Sequence, residues 1–305
     1  MNLIDVQKQF KTDDDCLEFL EQARWPDGIR CPVCGAKEIS RITRENPGKN
    51  KRTRLYQCLE PSCKEQFSAT QGTIFHRSHL PLATWFSAVA LIVDAKKGIA
   101  AKQLQRHLGI KSYKNAWYLS HRIREAMKES GPKLKGIVEV DETYIGGKQR
   151  GHKGKRKNKD AVVGIRERGG PLRFIQAADT KANTLYDIVS EHVDKQVELI
   201  MTDENPAYNF DLTQYRGKHR TIRHKDHVYV RGDIHTNTIE NAFSLLKRGI
   251  IGNFHQVSIK HLQRYLNEFG FRFNRREITT CWEETIQRLA RGKALPFRSL
   301  VSESS

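Results

Sequence analysis

GIVEVDETYIGGK, Gly136–Lys148, opens the part of the chain whose reading decides the fold. Its β-branched residues and closing Gly-Gly pair read as a strand that runs into a turn, with Asp141 at its end. AVVGIRERGGPLRFIQAAD (161–179) reads as a hairpin around Gly169 and Gly170. TLYDIVSEHV (184–193) has the spacing of an amphipathic helix, and VELIMTDENPAY (197–208) is a buried strand running into a turn at Asp203. NTIENAFSLLKRG (237–249) is a helix for which Gly249 is the expected stop. HLQRYLNEFGFRFNRR (261–276) carries Leu262, Tyr265, Leu266, Phe269 and Phe273 on one stripe. Strands alternating with helices make residues 135–276 an α/β domain.

Three acids in this domain stand out by position. Asp141 and Asp203 are placed at strand ends, which is how α/β sheets present a site at one edge. Glu240 lies near the start of a polar-faced helix. A hard divalent ion takes oxygen ligands and keeps several waters, so a few carboxylates suffice to hold it. Asn237, Glu240, Ser244 and Lys247 are spaced i, i+3, i+7 and i+10 and share one helical face. Lys247, two turns beyond Glu240, is placed to meet a phosphate as a point charge, and His235 just before the helix is a second candidate for that contact. Taken singly, each acid is as well explained by a loop cap or a pairing with Arg. Glu139, Glu142, Glu204, Asp226 and Asp233 read as solvated or paired.

Upstream, GPKL (131–134) is a linker. Residues 73–130 read as helical. Within them Gly98–Met127 has a helix-turn-helix rhythm, with Ala101, Leu104 and Leu108 inward, Gly109 at the turn and Ser112 capping the second helix. Tyr113, Lys114, Asn115 and Tyr118 would then form an exposed reading face, although an ordinary helical hairpin has the same pattern. In residues 29–72, Cys31-x2-Cys34 and Cys58-x4-Cys63 are paired turns of the kind that supply four tetrahedral ligands to one Zn2+. A domain this small needs the metal to fold. Its segment KNKRTR, Lys49–Arg54, is basic and suits DNA. Residues 1–28 contain a helix over 12–24, with Thr12 and the Asp13–Asp15 run at its start, and residues 277–305 hold a last helix and a tail.

The whole chain has 305 residues, with 53 Lys and Arg against 35 Asp and Glu. The formal charge of +18 exceeds what solubility requires and points to a polyanionic partner. Seven Lys or Arg lie between Lys148 and Lys159, read either as a solvated loop or as a DNA-contacting arm. No apolar run approaches membrane length and no signal core opens the chain, so the expected location is cytoplasmic with no membrane partner. Clustered cysteines without a secretory signal indicate metal rather than disulfides.

Asp141 in DETYIGGK, Asp203 in TDEN, and the long block HTNTIENAFSLLKRGIIGNFHQVSIKHLQRYLNEFGFRFNRR resemble the transposases of small bacterial insertion sequences, family fifteen-ninety-five. The resemblance runs from about residue 15 to 276. It implies a zinc ribbon ahead of a ribonuclease-H-like DDE domain, with a mixed sheet and flanking helices. It implies catalysis with two Mg2+ (or Mn2+) on Asp141, Asp203 and Glu240, assisted by Lys247, with the family-typical Asn237 as helper or alternative ligand. It also implies double-stranded DNA, transposon ends and target alike, as partner. Joining two ends to one target implies at least a dimer on DNA. Two alternatives stay open: a non-enzymatic zinc-ribbon and helix-turn-helix regulator, and a nuclease of the same fold that cuts without joining.

Overall fold

A computed structural model describes residues 1–42, 54–146, 160–208, 214–221 and 237–302. The chain forms two compact units, Met1–Met127 with Glu277–Ser305, and Lys128–Arg276. Among the described residues no helix is long and apolar enough to cross a membrane.

The first unit begins with two helices rather than one, α1 (Leu3–Gln9) and α2 (Asp13–Arg24). Each opens on a reciprocal capping box, Asn2 with Asp5 and Thr12 with Asp15. Thr12 Oγ1 accepts from Asp15 N at 3.2 Å while the Asp15 carboxylate accepts from Thr12 N at 2.8 Å, so two otherwise orphaned donors are met. A three-stranded antiparallel sheet follows, β1 (Ile39–Ile42), β2 (Leu55–Cys58) and β3 (Gln66–Phe67). Helix α3 (Leu82–Asp94) is apolar around most of its circumference and accordingly buried.

Helices α4 (Ala101–His107) and α5 (Tyr113–Ala126) are joined by a turn in which Gly109 takes φ +62°. Leu104, Ala116, Leu119 and Ile123 are buried, as the sequence requires of such a pair. Two details differ from the expectation. Ser112 occupies the cap position without a side-chain cap bond. Tyr118 is not an exposed reading residue: its hydroxyl donates to Leu295 O, and its ring packs edge-on against Phe297, centroids 5.3 Å apart. Lys114 lies 4.3 Å over the same Phe297 ring. That ring opens a short helix, α10 (Phe297–Val301), which the sequence did not announce. The preceding α9 (Cys281–Arg291) buries Trp282, Ile286 and Leu289, and the Trp282 indole N–H donates to Phe86 O at 3.0 Å. The C-terminal residues thereby complete the core of the first unit.

The second unit is built on a five-stranded mixed sheet: β4 (Ile137–Ile145), β5 (Asp160–Glu167), β6 (Leu172–Ala177), β7 (Leu199–Thr202) and β8 (His219–Thr221). Its order is β6-β5-β4-β7-β8. The first three strands form an antiparallel meander, and β7 and β8 add in parallel to β4. A mixed sheet with flanking helices is what the resemblance implied. Alternation along β4 and its neighbours sends Val138, Val140, Val163 and Ile165 to the face covered by α6 (Ala182–His192). Ile145, Val162 and Phe174 go to the face covered by α7 (Asn237–Gly249) and α8 (Ile259–Asn274). Gly249 does not stop α7. It keeps right-handed helical angles, φ −68° and ψ −45°, and leads into a π-helical turn at Ile250–Phe254 that ends at His255, φ 57°. Continuing the helix buries Ile250 with Ile239, Phe243 and Leu246, a gain that an early stop would forfeit.

Candidate functional site

Asp141 lies in the middle of β4, not at its end, because β5 pairs with that strand as far as Ile145. The end that matters belongs to the neighbour on the other side. β7 pairs with β4 in parallel, Ile137 with Leu199 and Glu139 with Met201, and stops at Thr202. Carried two residues further, the same offset sets Asp203 beside Asp141, at the edge where the parallel ladder runs out. Side chains alternate across a strand, so Glu139 and Asp141 point to the face that α7 covers, and α7 brings Glu240 to it. Register, strand length and helix packing together therefore gather acids that lie far apart in the chain.

Carboxylate oxygens of Asp141, Glu142 and Asp203 all lie within 4.8 Å of one another. By sequence Glu142 reads as solvated or paired, and nothing in its spacing separates it from an ordinary surface acid. The structure instead ties it into the cluster. Asn205 Nδ2 donates to Glu142 Oε1 at 2.7 Å, and the buried Tyr208 hydroxyl donates to Oε2. Asn205 N also donates to Asp203 Oδ1 at 3.1 Å, so the turn after β7 orients two of the three acids. Glu142 N donates to Asp141 Oδ1 at 2.8 Å.

A cavity of about 310 Å³ opens over Asp141 and Glu142 of this cluster, lined also by Thr143, Glu240, Phe243, Ser244 and Lys247, while Asp203 stays outside its lining. Glu240, Ser244 and Lys247 thus share the face of α7 that their spacing indicated. Asn237, the first residue of that helix, is exposed and lies outside the lining. Burial, and then the negative charges of Asp203, Glu142 and Glu240, push the Asp141 carboxyl up to about 7, against the pull of the Glu142 N–H. Three carboxylates whose oxygens lie this close together are short of positive charge, and a hard divalent cation is a species whose chemistry fits them.

Gly164 makes the approach of α7 possible. It pairs directly with Asp141 across β4 and β5. A Cβ there would come within 2.6 Å of Ile239 Cδ1 and 2.7 Å of Phe243 Cζ, so only glycine lets the helix settle this close to the strand.

The second cluster belongs to the first unit. The sulfurs of Cys31, Cys34, Cys58 and Cys63 lie within 4.8 Å of one another, with Cys31 to Cys63 at 3.7 Å and Cys34 to Cys58 at 3.6 Å. A tetrahedron of thiolates around Zn2+ has sulfur separations of about 3.8 Å, given bonds near 2.3 Å. Both turns are knuckles: Gly35 N donates to Cys31 O and Lys64 N to Glu60 O, with Gly35 at φ 77° and Lys64 at φ 51° just after the second cysteine of each pair. Burial opposes ionisation of Cys31, but the N–H groups of Cys34 and Val33 bring its thiol down to about 7. Cys58 goes the other way, to about 12, through burial and its contacts with the other sulfurs. Four sulfurs in one cradle call for a cation. Arg54, the last residue of the basic KNKRTR run, is used internally. It bonds Asp14, Glu18 and Glu21 at 3.2, 3.0 and 2.8 Å and so fastens β2 to α2, which its own sequence neighbourhood could not reveal.

The remaining residues of that run, the basic segment 148–159, and His224, His227, His235, Asp226 and Asp233 lie outside the described residues. Residues 133–274 match the ISXO2-like transposase domain and residues 11–66 the transposase zinc-ribbon domain. The chain is also similar to a Halobacterium salinarum protein described as an uncharacterized protein in transposable element ISH50. The two are 27% identical over 284 residues, which cover 87% of this chain and 92% of the other.

Proposed function

We propose that this chain, which belongs to the insertion-sequence transposases that pair a transposase zinc ribbon with an ISXO2-like transposase domain, cuts and joins DNA by metal-dependent phosphodiester transfer. The observation that supports the reading is the cluster of Asp141, Glu142 and Asp203 carboxylates at one sheet edge, with Glu240 on the wall of the cavity that Asp141 and Glu142 also line. These acids would hold Mg2+ or Mn2+. When bound, such a pair of ions activates the attacking oxygen and stabilises the departing one.

The side chains supply the rest. Tyr208 and Asn205 hold Glu142 in place, and Asn205 also holds Asp203, so the acids meet an incoming ion already oriented. Lys247 and Ser244, on the cavity wall beyond Glu240, are placed to meet a phosphate of the strand being cut. Asn237, at the exposed start of α7 and one turn before Glu240, would serve as a helper. The attacking groups are water and then the freed 3′-hydroxyl, so no side-chain nucleophile is needed. Zn2+ on Cys31, Cys34, Cys58 and Cys63 shapes the ribbon, which with the helix-turn-helix of α4 and α5 recognises the transposon ends. Synapsis of two ends requires at least a dimer on DNA.

The test uses double-stranded end DNA taken from the inverted repeats that flank the gene. Asp141→Asn and Asp203→Asn should each abolish Mg2+-dependent cleavage and joining, a loss of at least about 10³-fold, while DNA affinity stays near that of the parent. Substituted proteins that still join ends would remove both acids from the site. A parent that binds ends without cutting them would leave a regulator, and one that cuts without joining would leave a nuclease.

A further inference from the structure

We propose that Glu139 is a positioning residue that sets Glu240 against Asp141, an inference that rests on the metal-holding role given to those acids above. Glu139 lies two residues before Asp141 on the same face of β4 and is fully buried, 0% exposed. A buried carboxylate needs a counter-charge and filled lone pairs. Arg168 supplies the charge, its Nε donating to Oε1 at 2.8 Å. The other oxygen is given to α7. Oε2 accepts from Thr238 N at 3.1 Å, from Thr238 Oγ1 at 2.6 Å and from Ile239 N at 3.1 Å.

The first N–H groups of a helix have no partner within it and ordinarily find one in a side chain just before the helix starts. Here two of them are taken by an acid of the sheet, and its negative charge sits at the positive end of the helix. The anchored residues end at Ile239, and Glu240 is the next residue. The anchor is therefore one residue from the acid on the helix and two from the acid on the strand, and it fixes both the rotation and the depth of the first turn. Ile239 also packs over Gly164, directly across from Asp141, so a turn released from Glu139 would lose the contact that aims Glu240. Arg168 extends the arrangement, since its Nη2 lies 3.2 Å from the Met201 sulfur on β7, the strand that delivers Asp203. A simple ion pair would not need the first turn of α7; the three bonds from Thr238 and Ile239 to Oε2 are what assign Glu139 to positioning.

The test measures Mn2+ binding to the zinc-loaded full chain, without DNA, from the electron-spin signal of free Mn2+. Glu139→Ala is expected to weaken Mn2+ binding about 10- to 100-fold. Glu139→Gln, which keeps an oxygen for the helix N–H groups, should recover part of that loss. A purely structural role would lower the melting temperature and leave Mn2+ affinity of the folded protein unchanged. Parent-like affinity in folded Glu139→Ala overturns the proposal. Should that variant not fold, Glu139→Gln and Thr238→Ala decide it: weaker binding in both supports the assignment, and parent-like binding in both overturns it. Asp141→Asn and Asp203→Asn separate the two claims, because Mn2+ binding that survives both substitutions would sink the metal site itself rather than its positioning.

Discussion

Gly164 carries no side chain at the one point where a helix must come down onto a strand directly opposite an acid of the site. The space is already filled by Ile239 and Phe243, so even a methyl group meets them at 2.6 and 2.7 Å. Gly164→Val should therefore overpack the interface and cost about 1–3 kcal/mol of stability. The helix can relieve the clash by lifting from the sheet, and that movement carries Glu240 and Lys247 away from Asp141. Denaturant unfolding should show the modest stability loss, while metal-dependent strand transfer falls disproportionately and DNA affinity does not. A variant that loses stability but joins ends at the parental rate would show that α7 tolerates a looser seat than proposed. Glu142 makes a related point at the same scale. Its role comes from Tyr208 and Asn205, two residues of a turn more than sixty positions away, and no local pattern marks it.

At the scale of elements, legibility followed how local the cause was. The zinc knuckles were readable because each is a short turn whose spacing alone brings two sulfurs together. The strands and helices of the second unit were readable from their apolar periods, and α1 could have been, from the Asn2-x-x-Asp5 capping box. The middle position of Asp141 in β4 was not readable, since it depends on β5 pairing with β4 as far as Ile145. Nor was the partial covering of Tyr118, which depends on a ring near the far end of the chain. The ribbon invites a prediction. Its core is little more than Cys31, Tyr56, Cys58 and Phe67 with a few flanking side chains, too small to hold three short strands unaided. Chelating the zinc should therefore abolish amide-exchange protection in β2 and β3 while β4, β5 and β7 keep theirs. Protection of the ribbon amides that persists in metal-free protein would mean that the Arg54 clamp to Asp14, Glu18 and Glu21 suffices to hold the fold.

For the molecule as a whole, charge would decide how the proposed DNA partner is held. A chain of net charge +18 meets a polyanion mainly by releasing the ions condensed on it, so affinity should fall steeply with salt. The slope of log affinity against log salt is about −0.9 for each phosphate neutralised on duplex DNA. Seven of the Lys and Arg residues are concentrated between Lys148 and Lys159, immediately after the strand that carries Asp141. Replacing all seven with Gln should make the slope shallower by up to about 6 if each meets a phosphate, and by nearly nothing if the segment is only solvated. The loss should be the same on end DNA and on unrelated duplex, because phosphate contacts position a strand without reading it. The measurement is a salt titration of both duplexes with parent and substituted protein. An unchanged slope would assign the polyanion contacts to the Lys and Arg of the ribbon and the helices, and a loss confined to end DNA would mean that this segment reads bases.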